Sequence, residues 1–275
     1  MFQEKSMLVD LTIHRWTATK HDRTVSAEVE RSHNAHDAGR YNKQLIDKTH
    51  LKLVDELGNE LRKYHYHHTL PWIDKGARLL PSKLFFDYRE GLASLKHQRE
   101  AAVNDFLKIY PDLVQAARVR LNTMFQPEDY PSVEYLRSAF DVELEIMPVP
   151  DAGDFRVDIA KEAQDEVREQ IMASLKARQE RAVKDIWVRV RETVGNVVKQ
   201  CSNPKGRIYD SLMDNVLSLS TVIDGLNITG DVVLEQIGQE LRELHIDPTT
   251  LRNFMSVRMH VAQQAEQILL KVPEV

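Results

Sequence analysis

The residues most able to do chemistry lie between residues 61 and 100, where cations alternate with aromatic rings. This segment has eight Lys or Arg against four Asp or Glu, together with six aromatic side chains. In single-stranded nucleic-acid sites, cations pair with phosphates and bases stack on rings. The same residue types suit a protein-docking surface, and the ordinary structural explanation is that the rings pack a corner between two helices while the cations face solvent. The candidate binding residues are Arg62, Lys63, Tyr64, Tyr66, Trp72, Arg78, Lys83 and Arg89.

Three histidines in this segment raise the question of a metal site. His65 and His68 are one helical turn apart, so they face the same way, and His67 lies between them. A metal site needs a third ligand from elsewhere, and no HExxH or paired His and carboxylate motif accompanies these residues. We therefore expect a polar helix end, where the helix dipole favours histidine, and we predict no metal and no other cofactor.

Carboxylates gather around a second segment, near residues 143–158. Carboxylates on adjacent strands can hold Mg²⁺ for phosphodiester cleavage, and Pro150-Asp151 resembles the start of a PD-(D/E)xK nuclease motif. The spacing fails, because Asp158-Ile159-Ala160-Lys161 is one residue too long. A turn rich in Asp, Gly and Pro explains these residues better, although metal binding by the acidic hairpin Glu143–Asp158 stays open.

A second positive stretch, residues 176–191, surrounds Trp187 with six Lys or Arg against Glu180 and Asp185. On a helix these cations spread over several faces, which is typical of a solvated surface, and a phosphate-contacting ridge is the alternative. Cys201 has no evident His or Asn partner, so we do not expect a catalytic thiol. No Walker A, GxSxG or kinase signature occurs, and the sequence favours a non-enzymatic protein with no catalytic residue.

The composition excludes several classes of protein. The chain has 275 residues and only 10 Gly, which disfavours glycine-rich phosphate loops. Its net charge of −5 disfavours a protein whose whole surface coats nucleic acid or anionic membrane. A single cysteine cannot form an internal disulfide and suits a reducing compartment. The first residues lack the apolar core of a signal peptide, and no apolar run of about 18 residues occurs. We expect a cytoplasmic protein of a bacterial host cell, with no membrane partner.

Hydrophobic periodicity predicts the elements of the first half of the chain. Val9, Leu11 and Ile13 alternate with polar residues, as in a half-buried strand. Residues 17–41 predict an exposed arm or weak helix, and a helix follows from about Asn42 to His67. The next helix runs from about Leu84 to Tyr110, where Pro111 is expected to end it and to start another that reaches Met124. A short helix then holds Val133, Leu136 and Phe140.

The second half begins with strands and continues as helices. Residues 142–146 and 155–159 predict a β-hairpin that joins the Val9 strand in a three-stranded sheet. One helix of roughly 60 Å spans residues 160–200, at about 1.5 Å per residue, and should either bridge two lobes or pair with another chain. Helices at about 206–222, 231–244 and 248–270 complete the chain.

These elements together predict the fold class and the domains. We expect a predominantly α-helical α+β protein, with a small antiparallel sheet, helical hairpins, one long helix and a C-terminal helical bundle. Residues 1–160 should form an N-terminal α+β domain, and residues 161–275 should contain the long helix and the bundle.

Several blocks of rare residues resemble a domain family of unknown function found in bacteriophages and integrating mobile elements. They include Thr69-Leu70-Pro71-Trp72, Tyr110-Pro111, Asp129-Tyr130-Pro131, Pro148-Val149-Pro150 and Trp187-Val188-Arg189, and the resemblance covers most of residues 8–230. Genes of that family often lie near a MoxR-type AAA ATPase and a von Willebrand A-type protein. The resemblance implies a phage or mobile-element protein and supplies no catalytic residues.

Two hypotheses for function follow. The first is a non-enzymatic binding or assembly protein that acts through protein–protein contacts, either with copies of itself as a homo-oligomer or with an AAA ATPase. The alternative is a protein that binds or anneals single-stranded nucleic acid in phage DNA metabolism. A third, less favoured hypothesis is a metal-dependent nuclease at the acidic hairpin.

Overall fold

The fold was established from a computed structural model that describes residues 3–74, 76–151 and 161–274, without the side chain of Glu162. It is predominantly helical with a small antiparallel sheet, which confirms the predicted fold class. The strands are β1 Ser6–Ile13, β2 Thr19–His21, β3 Asn42–Gln44, β4 Leu70–Pro71, β5 Arg78–Pro81 and β6 Val142–Pro148. The helices are α1 Arg23–His33, α2 Lys52–His68, α3 Phe85–Leu121, α4 Val133–Ser138, α5 Lys161–Cys201, α6 Ser211–Leu226, α7 Val232–Leu244, α8 Pro248–Asn253 and α9 Met255–Leu269. Within the described residues, no helix is both long and apolar enough to cross a membrane.

Contacts within the chain define two compact units. Unit 1 comprises Met1–Asp10, Tyr64–Glu90 and Leu144–Val275, and unit 2 comprises Leu11–Lys63 and Gly91–Glu143. These units group the chain differently from the predicted domains, 1–160 and 161–275. The predicted division at residue 160 stays a prediction.

The main sheet has the strand order β4-β5-β1-β6. β1 pairs antiparallel with β5, with Ser6 opposite Pro81 and Val9 opposite Arg78, and β4 pairs antiparallel with β5. The Val9 strand and the strand at 142–146 are therefore neighbours, as predicted. β4 and β5 were not predicted, because they have only two and four residues and show no alternating pattern. The predicted strand at 155–159 lies outside the described residues.

Unit 2 is built around α3, and the predicted break at Pro111 is wrong. α3 continues through Pro111, although an internal proline costs about 3 kcal/mol through its missing N–H and its clash with the preceding turn. The residues on either side belong to one hydrophobic core, in which Phe106 and Tyr110 are buried and Trp16 contacts Tyr110 edge-on. Burial of that continuous stripe offsets the cost of the proline.

The N-terminal part of unit 2 also differs from the prediction. The weak helix expected within residues 17–41 is present as α1, which buries none of its residues. A helix starting near Asn42 is wrong, because β3 occupies Asn42–Gln44 and pairs with β2. α2 begins at Lys52, after a 3-10 turn in which the Asp47 side chain accepts a hydrogen bond from Thr49 N–H. Asp47 therefore acts as the N-cap of the helical segment that follows the strand.

Unit 1 contains the long helix and the C-terminal bundle. α5 packs against α9 and α6, and α6 packs against α7. The buried stripe of α5 is confined to its C-terminal half and includes Ile186, Val190 and Val194, whereas none of the described side chains of residues 161–180 is buried. The long helix is confirmed, and its C-terminal half serves the core of its own unit.

The predicted helix at 248–270 is two helices. Phe254, with φ −124° and ψ 102°, is extended and separates α8 from α9. Position 254 is neither glycine nor proline, so the spacing of apolar residues predicted one continuous helix across it. Phe254 therefore places Arg252 and Arg258 on two separate helices, α8 and α9, and both residues line the cavity described below.

Candidate binding surface

The eight candidate binding residues are divided between the two units. Arg62 and Lys63 are exposed residues of unit 2, near the end of α2. Each bonds to its own helix: Arg62 Nη1 donates to Asn59 Oδ1 at 3.3 Å, and Lys63 Nζ lies 2.7 Å from Glu60 Oε1. The other six residues belong to unit 1.

The large rings of the candidate surface are mostly part of the unit 1 core. Trp72 is 1% exposed, and Tyr88 is fully buried. Tyr64 stacks on Tyr88 with 6.1 Å between the ring centroids, and its hydroxyl donates to the Asp87 carbonyl at 2.7 Å. Their ring faces are thus occupied by protein, and a nucleic-acid base has no open face of Trp72 or Tyr88 to stack on.

The histidines at the end of α2 are bonded within unit 1. His65 Nδ1 and the Tyr88 hydroxyl are 2.8 Å apart, and His68 Nδ1 donates to the Tyr64 carbonyl at 2.9 Å. Burial lowers the pKa of His65 to about 4, and the nearby charges of Arg78 and His68 act in the same direction. In the part of the chain that the structure describes, no group of three or more His, Cys, Asp or Glu could hold a metal ion.

His67 contacts a serine, but the geometry does not make it a base. Its Nε2 donates to the Ser218 carbonyl at 3.0 Å and lies 3.1 Å from Ser218 Oγ. Because this nitrogen carries the donated proton, it cannot accept one from the serine hydroxyl. The pair therefore joins α2 to α6 and does not form an activated nucleophile.

Arg78 and Arg189 converge on one carbonyl oxygen at the end of α2. Arg189 Nη2 donates to Thr69 O at 2.7 Å, and Arg78 Nη2 donates to the same atom at 3.1 Å. Arg189 also bonds to His67 O and pairs with Asp185 at 2.8 Å. Burial lowers the pKa of Arg78 to about 10, and the charge of Arg189 adds to this effect. The two arginines satisfy carbonyls that the helix leaves open, which is a structural role.

Arg78 also covers the remaining candidate tyrosine. Its guanidinium carbon lies 4.3 Å from the ring centroid of the half-exposed Tyr66. The role of Arg189 was missed from the sequence, since its only signal was membership of the positive stretch at 176–191.

The other cations of that stretch are largely engaged within unit 1. Arg181 pairs with Asp74 at 3.0 Å, and the Arg178 guanidinium lies 5.9 Å from the ring centroid of Trp72. Lys176 and Lys184 are exposed and line an open groove of about 580 Å³ together with Glu180 and Glu274, so the groove contains charges of both signs. Few cations of residues 176–191 are therefore free to form a continuous phosphate-contacting ridge.

A short exposed ridge lies at the start of α3. It is formed by Lys83, in the turn just before the helix, and by Phe86 and Arg89, and we call it the Phe86 ridge. Phe86 is 78% exposed. Its neighbour Phe85 meets it edge-on at 5.4 Å and has the Arg89 guanidinium 5.6 Å from its ring centroid. Residues three apart share a helix face, so the two cations flank the Phe86 ring. Neither cation is within ion-pair distance of a carboxylate in the described part of the chain.

Charges around the Phe86 ridge are mixed. The exposed carboxylates Asp87 and Glu90 lie within four residues of at least one of the two cations, so the local net charge is close to zero. Phosphate backbones gain affinity from uncompensated positive charge. A surface with an exposed ring and both signs of charge is better matched to a protein.

The chain was compared with known proteins. It matches no family model, and no curated protein and no solved structure matches it.

Proposed function

We propose that the chain is a non-enzymatic binding protein that acts through contact with another protein, and that the Phe86 ridge is its docking point. The observation that carries this proposal is the exposure of Phe86 between two cations, whereas Trp72 and Tyr88 of the same sequence segment are buried. Aromatic and arginine side chains dominate the binding energy of protein interfaces, where a few anchors fill pockets of the partner.

A nucleic-acid function of this surface has less support. Stacking needs open rings, and Tyr66 is covered by Arg78 on one side while Trp72 is in the core. The nearly neutral charge around Phe86 supplies little attraction for phosphates.

For the partner, we propose a MoxR-type AAA ATPase in the cytoplasm of a bacterial host. This choice rests on the resemblance to a phage and mobile-element family whose genes often lie near such ATPases. Self-association through the same ridge is the competing outcome, because one exposed aromatic anchor also suits a homo-oligomer.

Site-specific cross-linking tests the proposal. A photoreactive phenylalanine analogue replaces Phe86 in one preparation and Val119, an exposed apolar residue of unit 2, in a matched control. Each protein is co-expressed with the MoxR-type ATPase of the same genetic element and irradiated. We expect a cross-link to the ATPase from position 86 only.

Two results would overturn the proposal. Equal cross-linking from positions 86 and 119 would mean non-specific proximity. Cross-links from position 86 only to another copy of the chain, with a concentration-dependent mass in sedimentation, would replace the ATPase by a homo-oligomer.

A further inference from the structure

Unit 1 contains a positively charged cavity that the proposed function does not use. It has a volume of about 420 Å³ and lies between the loop after α5 and the helices α8 and α9. Its lining includes three arginines and one carboxylate, together with a tyrosine and a glycine: Arg207, Arg252, Arg258, Asp210, Tyr209 and Gly206. We call it the arginine cavity.

Arg258 is the buried cation of this cavity. It is 6% exposed, and its Nη2 donates to the carbonyls of Gln200 at 2.5 Å, Asn203 at 2.6 Å and Gly206 at 2.8 Å. These carbonyls lie at and after the end of α5, where the helix dipole favours a cation. Its Nε has no hydrogen-bond partner, and no carboxylate of the described residues is within ion-pair distance of Arg258. A buried charge without a counter-ion is costly, so the cavity favours an anion.

The other two arginines leave the cavity with a positive excess. Arg252 Nε donates to the Ile208 carbonyl at 3.0 Å, and its Nη2 bonds to the Asp210 carboxylate. Asp210 is thereby used by Arg252. Arg207 lies over the ring of Tyr209, with 5.0 Å between its Cζ and the ring centroid, and makes no ion pair in the described part of the chain.

Gly206 allows the loop to approach Arg258. A Cβ at this position would lie 2.9 Å from Arg258 Nη2 and 3.2 Å from the carbonyl oxygens of Asn203 and Gln200. A side chain at this position would push the guanidinium or the loop away, so glycine favours the approach of all three carbonyls to one guanidinium nitrogen. The Arg258 side of the cavity is therefore fixed by backbone contacts, whereas Arg207, Tyr209 and Arg252 are exposed side chains.

We propose that the arginine cavity binds the phosphate of a mononucleotide. Guanidinium groups present paired N–H donors in a plane, which match phosphate oxygens, and an anion would neutralise the excess charge of Arg207 and Arg258. Arg207 covers one face of the Tyr209 ring, and the residue is 57% exposed, which leaves aromatic surface beside the phosphate position for a base. The volume falls within the range of about 300–1,000 Å³ that is usual for small-molecule sites.

Calorimetric titration of the full chain tests this proposal, with inorganic phosphate, AMP and a single-stranded oligothymidylate as separate probes. At about 50 mM salt, where charges are weakly screened, we expect AMP to bind more tightly than phosphate. Arg207→Gln should weaken AMP binding by about tenfold or more, since a hydrogen bond to a charged group is lost. Arg207 is not part of a buried core, so the variant should fold normally.

Lys205→Gln is the matched control. Lys205 is exposed and close in sequence, but it does not line the cavity, so the same loss of charge should change AMP affinity less than about twofold. Tyr209→Ala should weaken AMP binding by about fivefold or more while leaving phosphate binding unchanged, because only AMP carries a base.

Four results would overturn the proposal. These are no AMP binding at a Kd below about 1 mM, equal losses in Arg207→Gln and Lys205→Gln, an unchanged AMP affinity in Tyr209→Ala, and an oligothymidylate that binds where AMP does not. The last result would assign the cavity to nucleic acid. Phe86→Ala should leave AMP binding unchanged, so this test is independent of the proposed protein-docking function.

Discussion

Each unit contains a cavity, and the two cavities are nearly equal in volume but opposite in charge. The cavity of unit 2, about 430 Å³, is lined by Glu100, Glu134 and Asp141 against one cation, Arg137, which bonds to Asn104 Oδ1 at 2.6 Å. The arginine cavity of unit 1, about 420 Å³, has three arginines against one carboxylate. Volume therefore does not distinguish them, and the sign of the charge decides which kind of ligand each could hold.

The buried cations of the two units differ in the same way. In unit 2, Arg99 Nη2 donates to His14 O at 2.8 Å and Nη1 bonds to Phe140 O. Burial lowers the pKa of Arg99, and the neighbouring Asp55 and Asp141 act in the opposite direction. Arg258 of unit 1, like Arg99, bonds to backbone carbonyls only. The two units differ in their carboxylates: Asp55 and Asp141 act on Arg99, whereas Asp210, the one carboxylate that lines the arginine cavity, is paired with Arg252.

Lys43 gives the largest expected effect, because it is the most completely paired cation of unit 2. It is buried, 2.7 Å from the Asp129 carboxylate and 3.6 Å from Asp22, and donates to Met124 O at 2.8 Å. Lys43→Met would leave Asp129 buried without its partner and should lower the free energy of unfolding by about 3–5 kcal/mol. Urea denaturation measures this loss.

The matched control is Lys48→Met, at an exposed position of the same unit. Its free energy of unfolding should change by less than about 0.5 kcal/mol. A loss below about 1 kcal/mol for Lys43→Met would contradict internal pairing as the feature that distinguishes unit 2.

Gly206→Ala tests the corresponding feature of unit 1. The new Cβ would lie 2.9 Å from Arg258 Nη2, so the guanidinium or the loop must move. We expect a loss of about 1–3 kcal/mol in the free energy of unfolding, typical of overpacking, together with weaker AMP binding.

Gly195→Ala is the control for this substitution. Gly195 lies inside α5, and no atom beyond its immediate chain neighbourhood lies within 4 Å of the position that a Cβ would occupy. Alanine there should therefore stabilise the helix by about 0.5–1 kcal/mol. If both variants are equally stable, the close approach of the loop to Arg258 does not contribute to the free energy of unfolding.

The sequence predicted elements whose patterns are long and uninterrupted. α5 and α7 followed from apolar residues at helical spacing, and β1 and β6 from alternation, because these patterns extend over many residues. Pro111 was misread because its local cost is visible in the sequence, whereas the core that offsets it is assembled from distant residues such as Trp16.

The arginine cavity was not predicted, for a physical reason. Arg207 and Arg258 are far apart along the chain, and Phe254 interrupts the helix between Arg252 and Arg258, so only the folded chain brings the three arginines together. No sequence motif indicates that these three residues lie close together. The cation-rich segment at 61–100 was visible in the sequence, but composition alone could not show that Trp72 is buried while Phe86 is exposed.

The buried histidines of unit 1 predict a pH dependence of stability. The pKa of His65 is about 4 in the folded chain, mainly because of burial, against about 6.5 when unfolded. Between these values the unfolded chain binds a proton that the folded chain does not. Stability should therefore fall as pH decreases from about 6.5 towards 4, by at most about 1.4 kcal/mol per pH unit from this group.

His65→Asn should reduce that slope when urea denaturation is measured at several pH values. His33→Asn, at an exposed position of unit 2, is the control, and its curve should follow that of the unchanged protein. Parallel slopes for all three proteins would show that groups other than His65 cause the acid sensitivity, such as His67, whose pKa burial also lowers to about 4.

Phe86→Ala gives the smallest expected effect on stability. Phe86 is exposed and Phe106 is buried in the core of unit 2, so the same substitution should cost less than about 0.5 kcal/mol at position 86 and about 3–5 kcal/mol at position 106. If Phe86→Ala lost more than about 1 kcal/mol, the ring would be supporting the fold. A normal stability combined with weaker binding to the ATPase would instead assign Phe86 to binding, because the ring would then contribute only to the complex.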